Sequence, residues 1–263
     1  MRIFRKMCNF ICLYHKNKLP LYVFLRYTKI IFMQEEQTFA PLWELNPIWD
    51  ALNEEEKELV SNQVEIVRYN KNDIIHLEGD ASEYVWMIIT GKVRIYKEGV
   101  GQRQQIIRLL KPYDIFGFRA VIAGDAYNSC ANAFEPCVVY RLNSECFNRL
   151  VRANGAFCYA IMLMMARDLA ISELRTVNLT QKHIRGRLAE ALLNLIANYG
   201  YEQDGRTLAM LLPREDLANM SNMTTSNAIR TLSQFAQEGL VCVDGRHIQI
   251  LDQQELEHIS KLG

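Results

Sequence analysis

The run from residue 156 to 180 contains neither proline nor glycine, and it constrains the fold more than any other stretch. It predicts one long helix. Its start, FCYAIMLMMA, is apolar nearly all round, so the helix needs cover on two sides. Heptad spacing predicts that one side meets a twin helix in a homodimer, at Met162, Met165, Leu169, Ser172, Thr176 and Leu179. Burial within a single subunit is the alternative.

Short β-rich runs punctuated by turn residues occupy residues 64 to 142. They read VEIVRY, DIIHLEGD, VWMIITGKVRIYKEG, RQQIIRLL, YDIFG and CVVYRL. Short strands at this spacing are typical of an antiparallel roll or barrel. We therefore expect a β-rich domain ahead of the long helix.

The chain after the long helix predicts helices and a hairpin. IRGRLAEALLNLIANYG is amphipathic and ends at Gly200, PREDLANM starts a short helix, and another helix runs from Thr224 to a stop at Gly239. LVCVDGRHIQIL predicts a hairpin, because Asp-Gly lies between alternating apolar residues. Two helices joined by a tight turn at Ser221-Asn222 and followed by a hairpin form a winged helix-turn-helix. The predicted fold class is α+β: an antiparallel β-roll, a long dimerisation helix and a C-terminal winged helix-turn-helix.

The helix from Thr224 has one apolar face and one polar face. Ala228, Leu232 and Phe235 project together toward a core, and the opposite face has nothing to bury it. A helix that enters the major groove contacts bases with its amino end, and the fork of an arginine matches guanine. Thr224 is expected to cap the helix, and Arg214 and the wing residue Arg246 are candidate phosphate ligands. The candidate DNA contacts are Arg214, Thr224, Thr225, Ser226, Asn227, Arg230, Ser233 and Arg246.

Charge gives no general support for nucleic-acid binding. The chain has 30 basic and 30 acidic residues, but residues 1 to 33 hold seven of the basic ones, so the remainder is acidic. DNA binding must therefore depend on a local site and not on the net charge of the chain. Residues 1–37 are predicted to be a disordered extension or the product of a mis-called start, with a membrane or targeting segment as the alternative. No other stretch approaches a spanning helix, which predicts a cytoplasmic protein without a membrane partner.

Cysteine and histidine usage argues against a disulfide framework and against a metalloenzyme. The seven cysteines form no C-x-x-C pair, so we expect reduced thiols, buried at Cys130, Cys137 and Cys158. The five histidines show neither H-x-H nor H-E-x-x-H spacing. The sequence therefore predicts no metal site and no enzyme.

Residues 64 to 250 resemble the Crp/Fnr family of bacterial transcription regulators. The stretch PREDLANMSNMTTSNAIRTLSQFAQEGLVCVDGRHIQIL carries the resemblance and is similar to members from the Bacteroidetes. It implies a cyclic-nucleotide-binding-like roll at 38–150, a dimerisation helix at 151–182 and a winged helix-turn-helix at 183–263. It also implies a near-palindromic operator and RNA polymerase as partners. Thr225, Ser226 and Arg230 fall where members contact DNA, although Ser226 replaces a glutamate common in the family.

The resemblance also marks an effector pocket, formed by Gly117, Phe118, Arg119, Asn128 and Ser129. Members that bind cyclic AMP carry G-E-L and then R-S-A, whose glutamate holds the ribose and whose arginine holds the phosphate. Here Phe118 and Asn128 replace those two residues, so cyclic AMP is not expected and the effector is unknown. Arg119 is a substitute cation, but as a strand neighbour of Phe118 it would point to the opposite face.

Other interpretations stay open. One is a haem or nitric-oxide sensor of the same family, with His76 or a cysteine as ligand. Cys8 and Cys12, spaced C-x3-C, do not reproduce the cysteine cluster of the iron–sulfur branch. A nucleotide-binding signalling module without DNA function and a cupin-like barrel enzyme are the alternatives from other classes.

Overall fold

A computed structural model describes residues 39–99 and 104–263. The expectations for the N-terminal extension, including Cys8 and Cys12, lie outside these residues. The described chain begins with helix α1 (Leu42–Leu45), a 3-10 helix (Pro47–Ala51) and helix α2 (Glu54–Gln63). The first residues of α2 form a capping box, because the Asn53 side chain accepts from Glu56 N and the Glu56 side chain accepts from Asn53 N.

Two four-stranded antiparallel sheets form the roll. The strands are β1 (Glu65–Tyr69), β2 (Ile74–His76), β3 (Tyr84–Thr90), β4 (Val93–Glu98), β5 (Gln104–Leu110), β6 (Ile115–Phe116), β7 (Cys130–Ala133) and β8 (Cys137–Asn143). One sheet has the order β1-β8-β3-β6 and the other the order β2-β7-β4-β5. Ile88, Val93, Ala131 and Val139 are fully buried in the core of the roll. The predicted antiparallel roll is confirmed.

The chain leaves the sheet earlier than the sequence predicted. Only Ile115–Phe116 pairs as a strand, and helix α3 (Phe118–Ala123) follows at once. Gly117 makes the turn with φ +83°, and a Cβ at this position would lie 2.7 Å from the Trp86 ring. Phe118 and Arg119 therefore belong to a helix. The expectation that they alternate as strand neighbours was wrong.

A helical pair connects the roll to the C-terminal part. Helix α4 (Ser144–Ala153) is capped by Asn143, and the long helix α5 (Gly155–Gln181) is capped by Asn154. The side chains of α5 that are buried within the chain are Phe157 and Ile161. Large apolar side chains remain exposed along most of its length: Tyr159, Met162, Leu163, Met165, Leu169, Ile171, Leu174, Val177 and Leu179.

Helix α5 also meets the length and hydropathy of a membrane-spanning helix, so the expectation that no stretch beyond the N-terminal extension approaches one was wrong. Polar contacts attach it to the roll instead. Arg108 Nη1 donates to Asp168 Oδ2 at 2.5 Å, and Arg175 Nη1 donates to the carbonyl of Ile107. Ionic groups near the middle of a spanning helix are costly in a bilayer. These contacts favour a protein interface as the partner of the exposed apolar side chains.

The C-terminal part is a winged helix-turn-helix. It contains α6 (Ile184–Tyr199), α7 (Arg214–Met220), α8 (Thr225–Gln237), strands β9 (Val241–Asp244) and β10 (His247–Ile250), and α9 (Gln253–Leu262). Leu192, Leu217, Ala228 and Phe235 are fully buried at the centre of its core. The predicted helices and hairpin are present, whereas α9 was not predicted. Leu256 of α9 is buried in the same core.

Side-chain hydrogen bonds connect α7, the first helix of the helix-turn-helix, to the roll. Arg94 on β4 donates from Nη1 to Asp216 on α7 at 2.8 Å and from Nε to Asn132 at 3.1 Å. Gln105 on β5 donates to the carbonyl of Asn219 at 2.7 Å. Burial raises the pKa of Asp216, and Arg94 opposes that shift. The side chains of Arg94 and Asp216 are 16% and 9% exposed. Because water solvates both charges poorly, each charge is compensated by the other.

Candidate DNA-binding edge and effector cavity

The amino end of α8 presents an exposed polar edge, which we define as Thr224, Thr225, Ser226, Arg230 and Ser233. The Thr224 side chain caps the helix by accepting from Asn227 N at 3.3 Å. Beneath the edge, Ala228, Leu232 and Phe235 face the core, so the orientation of the helix agrees with the sequence analysis. The turn before it passes through Asn222 with φ +49°, a conformation that asparagine tolerates better than most residues.

Asn227 has a role that the sequence analysis missed. Its Oδ1 accepts from Arg230 Nη2 at 2.8 Å, so the amide holds the guanidinium at the edge. The two residues are three apart, a spacing at which side chains on a helix meet. The spacing is visible in the sequence and could have indicated this hydrogen bond. Asn227 is therefore an orienting partner of Arg230.

The two arginines predicted to bind phosphate differ in their surroundings. Arg246 is exposed in the two-residue turn of the hairpin, between Asp244 and His247. Arg214 is partly buried, and its Nη2 donates to the carbonyl of Gly245 at 2.6 Å. Burial lowers the pKa of Arg214. Arg246 is thus free to meet a ligand, whereas Arg214 supports the turn that carries Arg246.

A cavity in the roll brings together all five residues of the predicted effector pocket. Its lining also contains Arg108 and Leu110 of β5, Phe116 of β6, and Tyr127. Arg119 also lies at this cavity, but it is exposed, whereas its neighbour Phe118 in helix α3 is 2% exposed. Arg108 was not among the predicted pocket residues, because nothing in the sequence links it to the G-F-R stretch.

His76 is a buried aromatic member of the cavity wall. Its ring stacks on Tyr127 with centroids 4.1 Å apart and on Trp86 at 5.2 Å, and its Nδ1 has no hydrogen-bond partner. The His76 side chain is 6% exposed, and its ring is packed on both faces. The alternative of a haem sensor with His76 as ligand stays a prediction. Among residues 39–99 and 104–263, no group of three metal-ligating side chains is gathered.

Loss of the neutral form of His76 is expected to destabilise the fold at acid pH. Burial lowers its pKa from 6.5 to about 4, although the Leu77 backbone and Asp80 oppose the shift. Between pH 4 and pH 6.5 the unfolded chain binds more protons than the folded chain. The stability that the neutral imidazole contributes is therefore fully present above pH 6.5 and is lost toward pH 4. The urea midpoint of the wild type should fall more between pH 7 and pH 5 than that of His76→Phe. Equal falls would contradict this assignment.

The described cysteines are all free thiols. Cys130, Cys137 and Cys146 are buried, whereas Cys158 is half-buried and Cys242 is exposed. Burial raises the pKa of Cys137 to about 11, so its thiol stays protonated and unreactive at neutral pH.

Comparison with known proteins matches both parts of the chain. Residues 66–154 match the family model described as a cyclic nucleotide-binding domain, and residues 186–259 match the Crp-like helix-turn-helix domain. A cyclic AMP receptor protein of Thermus thermophilus is 23% identical over 215 residues, which are 82% of this chain and 97% of that protein. A fumarate and nitrate reduction regulatory protein of Vibrio cholerae is 25% identical over 212 residues, 80% of this chain and 84% of that protein.

Among solved structures, FixK2 from Bradyrhizobium japonicum has a TM-score of 0.68 and 25% sequence identity, and the match covers 74% of this chain and 96% of that one. A roll of the cyclic-nucleotide-binding type joined through a long helix to a winged helix-turn-helix defines a DNA-binding transcription regulator rather than an enzyme. The chain belongs to the Crp/Fnr family of these regulators.

Proposed function

We propose that this regulator works as a homodimer that recognises a near-palindromic DNA operator and responds to an effector other than cyclic AMP. The observation that carries the proposal is the exposed polar edge at the amino end of α8, over a fully buried core. An exposed helix end with short polar side chains and one arginine suits entry into the major groove.

Base readout is assigned to Arg230, with Thr225 and Ser226 close to the DNA. The short side chains at the helix start allow close approach, and Asn227 holds the guanidinium in place. Held in this way, the guanidinium loses little conformational freedom when it contacts guanine O6 and N7. Thr224 and Ser233 flank the readout, and Arg246 at the wing tip contacts phosphate.

Dimer formation is supported by the exposed apolar side chains of α5. Leu169 is 61% exposed and Met162 is 53% exposed on the side of the helix away from Asp168. Contiguous exposed apolar surface of this kind marks an interaction site. A parallel pair of these helices buries it and supplies the two-fold symmetry that an inverted repeat requires.

The effector is argued from the lining of the cavity. Cyclic AMP needs a ribose acceptor and a phosphate-binding cation, and the family resemblance aligns Phe118 and Asn128, which both line the cavity, with those two residues. We therefore assign a different effector. A cytoplasmic location and contact with RNA polymerase follow from the proposed role as a transcription regulator.

Selection of bound sequences from random DNA tests the proposal. The enriched sequences are expected to contain two inverted half-sites whose centres lie roughly 34 Å apart, about one turn of B-DNA. Footprinting should protect both halves. Enrichment of a single unpaired half-site would contradict the dimeric arrangement, and no enrichment at low salt would contradict DNA binding.

A further inference from the structure

One large apolar side chain lies beside the exposed polar edge of α8. Ile229 is 47% exposed, and it takes no part in the buried core around Ala228, Leu232 and Phe235. Over its described residues, α8 exposes no other large apolar side chain. Isoleucine is also a weaker helix former than alanine or the long polar residues, so it gives α8 no stability at this position.

The neighbours of Ile229 on the helix surface have short side chains. Residues three and four apart on a helix are adjacent, which places Thr225, Ser226 and Ser233 around Ile229. Their hydroxyl side chains extend less far from the helix axis than isoleucine does. A β-branched side chain also has one strongly preferred χ1 rotamer in a helix. Ile229 therefore presents a rigid apolar surface that loses little conformational freedom on binding.

The guanidinium of Arg230 is held on the other side of the edge. Its Nη2 donates to Asn227 Oδ1 at 2.8 Å. Asn227 and Ile229 lie roughly 160° apart around the helix axis, because each residue of an α-helix turns by about 100°. The Arg230 side chain therefore leans away from Ile229 and does not cover it. These two neighbours in sequence project toward different positions along a bound groove.

The apolar group that bases present in the major groove is the C5 methyl of thymine, whereas their other groups there donate or accept hydrogen bonds. We propose, on the basis of the function proposed above, that Ile229 contacts a thymine methyl in each half-site of the operator, close to the guanine that Arg230 contacts. Each subunit then selects its half-site through one apolar contact and one charged contact. Ile229 thereby favours thymine over cytosine, which lacks the methyl group.

Deoxyuridine substitution tests the inference, because deoxyuridine pairs as thymidine does and lacks only the methyl group. The full-length protein is used to select an operator from random DNA. Each thymine shared by the selected half-sites is then replaced in turn by deoxyuridine, and affinity is measured by electrophoretic mobility shift. At one thymine position, loss of the methyl should weaken binding roughly 4-fold for each half-site, the effect expected for one buried methyl-sized group.

Variants of Ile229 assign the effect to this side chain. Ile229→Ala should bind the thymine and deoxyuridine operators equally at that position, and it should keep the wild-type preference for the guanine. Ile229→Val retains both branches at Cβ and should keep most of the discrimination. Ile74→Ala is the matched control, because Ile74 is 56% exposed on β2 of the roll and the same atoms are removed far from α8 in sequence. It should respond to deoxyuridine as the wild type does, and thermal melts should show that every variant is folded.

Equal affinity of the wild type for every thymine operator and its deoxyuridine counterpart would overturn the thymine contact. A loss in Ile229→Ala that is the same for all duplexes would also overturn it, because apolar contact with the sugars carries no base preference. Failure of the proposed function gives a different result. If no sequence is enriched, both proposals fail, whereas an operator whose guanine preference is lost in Arg230→Ala but which does not respond to deoxyuridine contradicts the thymine contact alone.

Discussion

Leu169→Glu is expected to convert the protein to a monomer and to lower operator affinity by roughly 100-fold or more, since a monomer loses the second half-site contact. Leu169 is 61% exposed in the single chain and lies on the heptad stripe of α5. In a parallel helix pair the two glutamates would face each other, where burial and like charge both oppose association. Sedimentation or light scattering should report the monomer mass, and electrophoretic mobility shifts should report the affinity.

Arg167→Glu is the control for this substitution. Arg167 is exposed on the same helix, but it lies roughly 160° around the axis from Leu169, given 3.6 residues per turn. It introduces a glutamate outside the exposed apolar side chains and should leave mass and affinity close to wild type. A dimeric Leu169→Glu protein, or equal effects of the two variants, would contradict the assigned seam.

Arg230→Ala is expected to lower affinity for the selected operator by about 10-fold to 100-fold, because a bidentate guanine contact provides roughly 1–3 kcal/mol of discrimination. The loss should be largest for operators that carry the preferred guanine and small for mismatched ones. Competition binding against operators altered at single positions measures this pattern. The fold should be unaffected, since the side chain is exposed and bonds only to Asn227 among the described residues.

Two further substitutions separate base readout from general charge. Arg246→Ala removes an exposed wing cation and should weaken binding to all duplexes by a similar factor, with a smaller dependence on salt. Arg167→Ala removes an exposed cation on the long helix and should leave operator binding unchanged. If Arg230→Ala behaves like Arg246→Ala, Arg230 contacts phosphate and another residue of the edge reads the bases.

Local patterns were sufficient to predict which side of α8 is exposed. The apolar spacing of Ala228, Leu232 and Phe235 fixes which side of α8 is buried, and Thr224 is a strong cap. These features depend on neighbours within a turn or two of helix. The sequence therefore predicted the orientation of Ser226 and Arg230 without knowledge of the tertiary structure.

Contacts between distant parts of the chain could not be predicted in this way. Arg94 and Asp216 are 122 residues apart, and Arg108 and Asp168 are 60 apart. A single charge carries no information about which opposite charge the fold brings beside it. The turn at Gly117 is a different case, because it starts a helix where strand alternation was expected for Phe118 and Arg119. The composition of the cavity therefore emerged only with the tertiary structure.

The hydrogen bond from Arg214 to the carbonyl of Gly245 has a mechanical consequence. It braces the hairpin tip against the first turn of α7, so the wing is tethered to the helix-turn-helix as well as to its own strands. This hydrogen bond fixes the distance between Arg246 and α8, so Arg246 cannot easily adjust to a DNA groove of different width. If Arg246 contacts phosphate as proposed, duplexes that meet this spacing without bending bind best, and flexible operators reach the same contact by deforming.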